Sequence, residues 1–452
     1  MSDNNPQVAA RGIGGIQATP DSYQKNYIRF YPNSDSKEYL DIKDFVTNIV
    51  FRENINQSSI TCTLDIADAK NFMPFMRISG NERVDVEVSQ VPIKKDKSNK
   101  TKKFTNTFYV SDVINHSRPN PGTQTFQLKC VSELAYISQL IKLNRSFNGS
   151  VGECLENILK RDLEVDKDYY DINTETTGVV KGIYPQLKPL RAIEWLMRNS
   201  FDASTPFFFY ESLAKGIKFD SLKNLCDQEV LKEYEHKPFH KDNTKTEDAF
   251  KDLQKRIHKI SSNLGMSKFN AVTKGTYASE LLAVDIATKK IETKFYNYKK
   301  GQGLLNDNDP FSKTDKSKFL DKTLDEFTAQ RQFHLNINTQ SYTDEDNYHF
   351  AVKDNLQKSE SMLNNLNYMT HELTVAGDFD MYPGALVDVF IPLSTNPELK
   401  NRSNIKDEML SGKHIITHVI HKFGPDKYEM DLTARKDSSM LDLDSKIEGE
   451  WE

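Results

Sequence analysis

Apolar and polar positions alternate with a period of two through long parts of the chain, which predicts β-strands with one buried face. Phe45, Thr47, Ile49 and Phe51 share a face, Ile60, Cys62, Leu64 and Ile66 alternate, and so do Val84, Val86 and Val88. Phe108 with Val110, and Phe126 with Leu128 and Cys130, bring the count to five strands, parted by the polar stretches ENINQSS, ISGNER, KKDKSNKTKK and NPGT. Strands with one wet face pair antiparallel, so residues 23–145 read as a small antiparallel β-barrel or sandwich.

The period then changes. Ser150 and Glu153 form a capping box ahead of Val151, Leu155, Ile158 and Leu159 at helical spacing. A second helix follows Pro189 and places Ile193, Leu196 and Met197 on one side. FFFY and GIKF, the latter at Gly216 to Phe219, predict a hairpin. Phe250, Leu253, Ile257, Ile260 and Leu264 predict a further helix that stops at Gly265. Residues 146–265 are therefore expected to form an α+β middle domain.

Strand character returns over 266–300 and again over 369–437, separated by a polar insertion, 301–368, whose closing helix carries Leu356, Leu363 and Leu366 and is expected to run on to Met369. The second β domain is thus expected to be discontinuous, with the insertion packed on the middle domain. Within it Leu373 to Asp378 and Ala385 to Ile391 read as strands, and Pro383-Gly384 supplies the fixed and the positive φ of a type II turn. GKHIITHVIHKF and KYEMDLTARK follow, the latter with Tyr428, Met430 and Leu432 alternating. The segments Asp112 to Cys130 and His418 to Ala434 share an order: Val-Ile, a turn with Pro and Gly, and a returning strand with an aromatic two residues before an apolar side chain. That order suggests two copies of one small barrel. Residues 1–22 read as a flexible arm and 438–452 as an acidic tail.

Composition narrows the function classes. The 452 residues suffice for two to four domains, and an apolar share of 37% points to long polar loops or an extended shape. With 65 acidic and 60 basic side chains the net charge is −5, so no global basic field marks a nucleic-acid or membrane binder. Apolar runs such as Pro206 to Tyr210 are far too short to span a bilayer, and the N-terminus lacks the apolar core of a signal peptide; a soluble, cytoplasmically made protein is expected. Cys62, Cys130, Cys154 and Cys226 stand singly and read as buried thiols.

No candidate chemistry survives its own geometry. On a strand, His414 and His418 would lie about 13 Å apart with His421 on the opposite face, too far for one metal ion. His236 and His240 flank Pro238 in a Lys-rich loop without a third ligand, and Asn306 to Pro310 lacks the glycine and distal Glu of a calcium loop. Gly12 to Gly15 has no preceding strand, and Gln17 stands where a dinucleotide fingerprint needs its third glycine. No catalytic, cofactor or metal site is expected. Lys94, Lys95, Lys97, Lys100, Lys102 and Lys103 crowd one interstrand loop. They read as a solvated hairpin tip that protects an edge, or else as an electrostatic contact for an acidic neighbour; a grip on DNA is the weakest alternative. A carbohydrate-active enzyme with paired carboxylates in the middle region is a further alternative, whose mark would be a cleft holding two carboxylates, one with a raised pKa.

TNIVFRENINQSSITCTLDIADAKNF and GNERVDVEV in the first β region, PLRAIEWLMRNSFDASTPFFFYES in the middle, and VAGDFDMYPGALVDVFIP with HIITHVIHKFGPDKYEMDLTARK near the end resemble the baseplate hub proteins of contractile-tailed bacteriophages. The resemblance covers most of residues 25–437. It implies two barrels similar to the tail-tube subunit, and a homotrimer whose six barrels form a ring adapting a six-fold tube to a three-fold spike. The implied partners are the tail tube or a tube-initiator protein, the central spike and other baseplate proteins, with DNA only in transit through the lumen. The implied place is the virion tail baseplate, assembled in the host cytoplasm. The Lys-rich loop and the long insertion depart from the family's pattern. A ring-forming spike-base protein of another contractile injection system is the alternative; such chains usually continue into a spike β-helix, where this one has only a short acidic tail.

Overall fold

The computed structural model describes residues 21–76, 78–91, 101–176, 178–198, 200–202, 205–236, 252–264, 268–286, 289–298, 304–306, 318–323, 326–328, 330–336, 348–393, 405–425 and 427–441. The alternating N-terminal segments form β1 (Tyr23–Tyr31), β2 (Val46–Asn54), β3 (Thr61–Asp68), β4 (Arg83–Gln90), β5 (Lys103–Asn120) and β6 (Thr123–Ser132). Later strands are β7 (Lys232–Glu235), β8 (Ile257–Asn263), β9 (Met369–Ala376), β10 (Leu386–Phe390), β11 (Gly412–Phe423) and β12 (Tyr428–Lys436). All belong to one 13-stranded sheet, in the order β8-β9-β12-β11-β2-β3-β6-β5-β4-β1 with Leu40–Asp41 outermost; β10 pairs with β11, and β7 with β10.

The N-terminal and C-terminal β regions therefore meet strand to strand. β11 runs antiparallel to β2, from His418 opposite Asn54 to Phe423 opposite Ile49. Ile49, Phe51, Val84 and Phe126 from one side share a single apolar core with Leu373, Val387, Val419 and Phe423 from the other. At the seam Phe51 packs between Phe108 and Phe423, with ring centroids 5.6 and 5.9 Å away. Burying this face is the main stabilising term available to strands whose other face is wet.

Two expectations are corrected. Ala278–Asp285 and Lys290–Asn297, expected to open the second barrel, form a separate three-stranded sheet with Gln330–Asn336, which lies parallel to the first of them. The buried face of Ala278–Asp285 carries Ser279 and Asp285 beside Leu281 and Ala283. Ser279 is satisfied by Gln357 of the helix Tyr348–Asn365, whose Nε2 donates to its carbonyl and lies 3.1 Å from its hydroxyl. A face this polar suits a helix with matching amides better than the apolar main core.

The second correction concerns Ile257 and Ile260, read as helical from their spacing of three. They lie on β8, where a register shift between Ile257 and Lys259 places Ile257 opposite Val375 and Ile260 opposite Leu373. An extra residue in a strand brings i and i+3 to one face and so imitates helical spacing. β8 and β7 are the strands that complete the C-terminal half of the sheet.

The middle region is built on the hairpin of Thr205–Ser212 and Gly216–Ser221, with Tyr170–Ile172 parallel to the latter. The helices include Glu133–Leu140, Val151–Asn157, which bears the expected capping box, and Pro189–Met197, which has its proline in the first turn. All eight residues of Thr205–Ser212 are buried, which explains its lack of alternation. Phe207 and Phe209 join the helices. Phe208 and Tyr210 turn the other way, into a cluster with Leu225, Met362 and Leu366 and with Leu386 and Ile415 of the large sheet.

Candidate functional site

The predicted corner at Pro383-Gly384 is a joint between the sheet and the middle region. Gly384 has φ +88°, and the Ala385 amide donates to the Tyr382 carbonyl at 3.3 Å, as a type II turn requires. The Gly384 amide donates to Ile416 O at 2.7 Å, fixing the corner on β11. Gln228 of the middle region donates to Gly384 O and accepts from the Tyr382 hydroxyl. A Cβ at 384 would run into the Tyr210 hydroxyl and touch Leu225, so glycine is required both by φ and by close approach. Nearby, Lys232 of β7 pairs with Asp378 at 2.6 Å. Burial would raise that carboxyl, but the Lys232 charge and hydrogen bond hold it below its ordinary range.

Of the six loop lysines, Lys94, Lys95, Lys97 and Lys100 lie outside the described residues. Lys102 forms an ion pair with Asp380, beside the corner, and Lys103 pairs with Glu87 of the adjacent strand at 2.9 Å. These two are engaged within the chain, on the shoulders of the loop. His240, Gly12 to Gly15 and residues 307–310 also lie outside the description. Asn306 of the calcium-like run is described: its side chain grips the Lys413 main chain, accepting from N at 3.0 Å and donating to O at 3.2 Å.

The histidine reading needs one correction. His421 does lie opposite His418, but a register shift between Ile416 and His418 in β11 reverses the alternation relative to His414, so His421 faces the main core with Val419 and Phe423. His414 is buried against His371, ring centroids 4.9 Å apart, and burial, His371 and Lys436 push its pKa well down. His418 lies on the outer side, 2.5 Å from Asn54 Nδ2. The three imidazoles stay apart, and no group of three or more metal-ligating side chains occurs among the described residues. All four cysteines are free and buried.

A buried carboxylate pair was missed. Glu53 continues the core-facing set of Ile49 and Phe51, a visible signal, since a core-facing Glu breaks the apolar pattern. Its Oε1 accepts from the Leu213 amide at 3.0 Å and lies 3.4 Å from His421 Nε2. Glu211, at the end of FFFYE, accepts from the Ile60 amide at 3.0 Å and from the Tyr169 hydroxyl at 3.3 Å. Burial, with help from the Glu53 charge, pushes the Glu211 pKa up to about 7.

Glu211 also lines a cleft of about 670 Å3 between β5 and the middle region, together with Glu133, Asp162 and Glu164. This is the feature that the enzyme alternative asks for, but Glu211, the carboxyl with the raised pKa, and Asp162 are spent differently. Both Glu211 oxygens hold donors of the fold, and Asp162 is paired with Arg145. A glycosidase acid must instead offer its proton to a substrate oxygen. The arrangement binds the hairpin of the middle region to β2 and to the entry of β3.

The sequence matches no protein-family model, and no curated protein is similar to it. Among solved structures, the chain is similar to a tail protein from Neisseria meningitidis MC58, with TM-score 0.51, 9% identity, and 92% of this chain covering 97% of that one. It is equally similar to the 43 kDa tail protein of prophage MuSo2 from Shewanella oneidensis, with TM-score 0.51, 10% identity, and 92% covering 100%. A looser likeness, TM-score 0.41 at 9% identity over 89% of this chain and 76% of the other, is to an Escherichia coli type VI secretion component. The chain thus shares the fold of these two tail proteins along nearly its whole length. No helix among the described residues is long and apolar enough to cross a membrane.

Proposed function

We propose that the chain is a structural hub of a contractile phage-tail baseplate, without enzymatic activity. Three copies form a ring in which the two β regions of each chain act as neighbouring tube-like units. The ring meets the six-fold tube on one side and the three-fold spike on the other, and DNA passes through its lumen during ejection. Closed symmetry of this kind lets similar units occupy quasi-equivalent places.

The observation that supports this reading best is the likeness of fold over 92% of the chain to two phage tail proteins that are themselves covered almost completely. The seam between β11 and β2 is consistent with it: direct pairing and one shared core make the two β regions a single building block. On this reading Lys94, Lys95, Lys97 and Lys100 are contacts for an acidic neighbour.

Native mass spectrometry tests the ring. A three-chain species, alone or with the cognate tube protein, is expected; a single chain persisting under both conditions overturns the proposal.

A further inference from the structure

The outer face of β8, β9 and β12 forms the floor of a second cleft, of about 770 Å3, on the far side of the sheet from the main core. Register sets its side chains in two cross-strand rows, Asn263-Thr370-Arg435 and Ser261-Glu372-Thr433. Adjacent members of a row lie about 5 Å apart, the spacing between strands. The walls are the end of the helix Tyr348–Asn365 with the turn after it, and the segment from Asn270 to Thr276.

The lining is unusual in kind. It holds five asparagines and only two aliphatic side chains, Ala271 and Ile420. Asn365 is 4% exposed, yet its Oδ1 has no hydrogen-bond partner among the described residues. Arg435 donates from Nη1 to Asn367 at 2.7 Å, while its buried Nε is likewise unpartnered among them. A buried acceptor and a buried donor left unmade are costly, and in native proteins such groups call for an explanation.

The ligand must both donate and accept. A simple anion cannot donate to Asn365 Oδ1, and a metal ion cannot accept from Arg435 Nε and would meet the charges of Lys274 and Arg435 with a single carboxylate, Glu372, to offset them. An apolar ligand would bury amides without partners. An extended peptide usually takes main-chain partners from a strand edge; β8 alone among the floor strands has one, while β9 and β12, which carry most of the two rows, are paired on both sides. Beside Lys274, Glu372, His418 and Arg435, what the cleft offers is a lattice of amides and hydroxyls, each able to give and to take a hydrogen bond.

We propose that this cleft binds a short neutral oligosaccharide laid across the two floor rows, with Asn365 accepting from one of its hydroxyls. The volume lies within the usual range of small-ligand sites, roughly 300–1,000 Å3. The site is independent of the hub reading, since its residues take no part in the seam's shared core.

The test uses the full chain, screened on a printed glycan array and by saturation-transfer NMR with maltotriose and chitotriose. At least one oligosaccharide should bind. Asn365→Ala, and separately Thr370→Val on the floor, should each weaken that binding about three- to tenfold, the share of one hydrogen bond, with the melting transition retained. Failure of every glycan to bind overturns the proposal, as does binding indifferent to both variants. Selection from a random peptide pool of binders that depend on Asn365 and Thr370 also overturns it, in favour of a peptide site.

Discussion

Glu53 Oε1 and His421 Nε2 face one another at 3.4 Å, with neither side chain exposed, across the strands that join the two β regions. The contact extends on both sides. Glu53 holds the Leu213 amide of the middle region, and His421 Nδ1 lies 2.7 Å from the Tyr428 hydroxyl, which donates to Asp378 O. One buried carboxylate thus ties β2, β11 and the middle region together.

Replacing Glu53 by Ala should strand the Leu213 amide and destabilise the fold by about 1–3 kcal/mol, while Glu53→Gln, which keeps an acceptor, should cost less. Urea unfolding of the two variants beside the parent is the check. An alanine variant as stable as the parent would remove Glu53 from this role.

Gly384→Val forces a β-branched residue to positive φ and into the Tyr210 hydroxyl, with an expected cost of at least about 1–3 kcal/mol from backbone strain alone. Gly384→Ala should be milder, and Tyr210→Phe should recover part of its loss by removing the nearest atom. A double-mutant cycle measures that coupling. Simple additivity of the two changes would mean that the corner and Tyr210 do not press on each other.

Glu211 makes stability depend on pH. Its carboxyl rises from 4.5 to about 7 in the fold, so between those values the folded chain holds a proton that the unfolded chain has lost. The corresponding stability is fully present below pH 4.5 and disappears as pH rises through 7, on the order of 3 kcal/mol in all. Glu211→Gln, neutral throughout, should flatten this part of the profile. Unfolding midpoints measured from pH 5 to 8 decide the matter, and parallel slopes for parent and variant would refute it.

Changing Lys94, Lys95, Lys97 and Lys100 to Ser should weaken assembly with an acidic partner in a salt-dependent manner and leave the melting temperature unaltered, because charges in an interstrand loop, as the sequence reads here, contribute little to folding. Lys102 and Lys103, each already paired within the chain, are left in place. Assembly unchanged at low salt would reduce the loop to a solvated tip.

Much of this architecture is written locally. Alternation marks β3, β4, β6 and β12, Ser150 and Glu153 announce their helix, and Pro383-Gly384 specifies its own turn, because each depends on neighbours a few residues away. Partner choice is different. Nothing around Ala278 says that its strand pairs with Gln330–Asn336, nor does the sequence near Phe51 name β11 as its neighbour, since those pairings are selected by shape and burial between segments far apart in the chain. The bulges near Ile257 and Ile416 exist only relative to a partner strand. Because side chains on a strand alternate with a period of two, one extra residue reverses every assignment beyond it. That is why His421 meets Glu53 in the core although simple counting from His414 sends it to the opposite face.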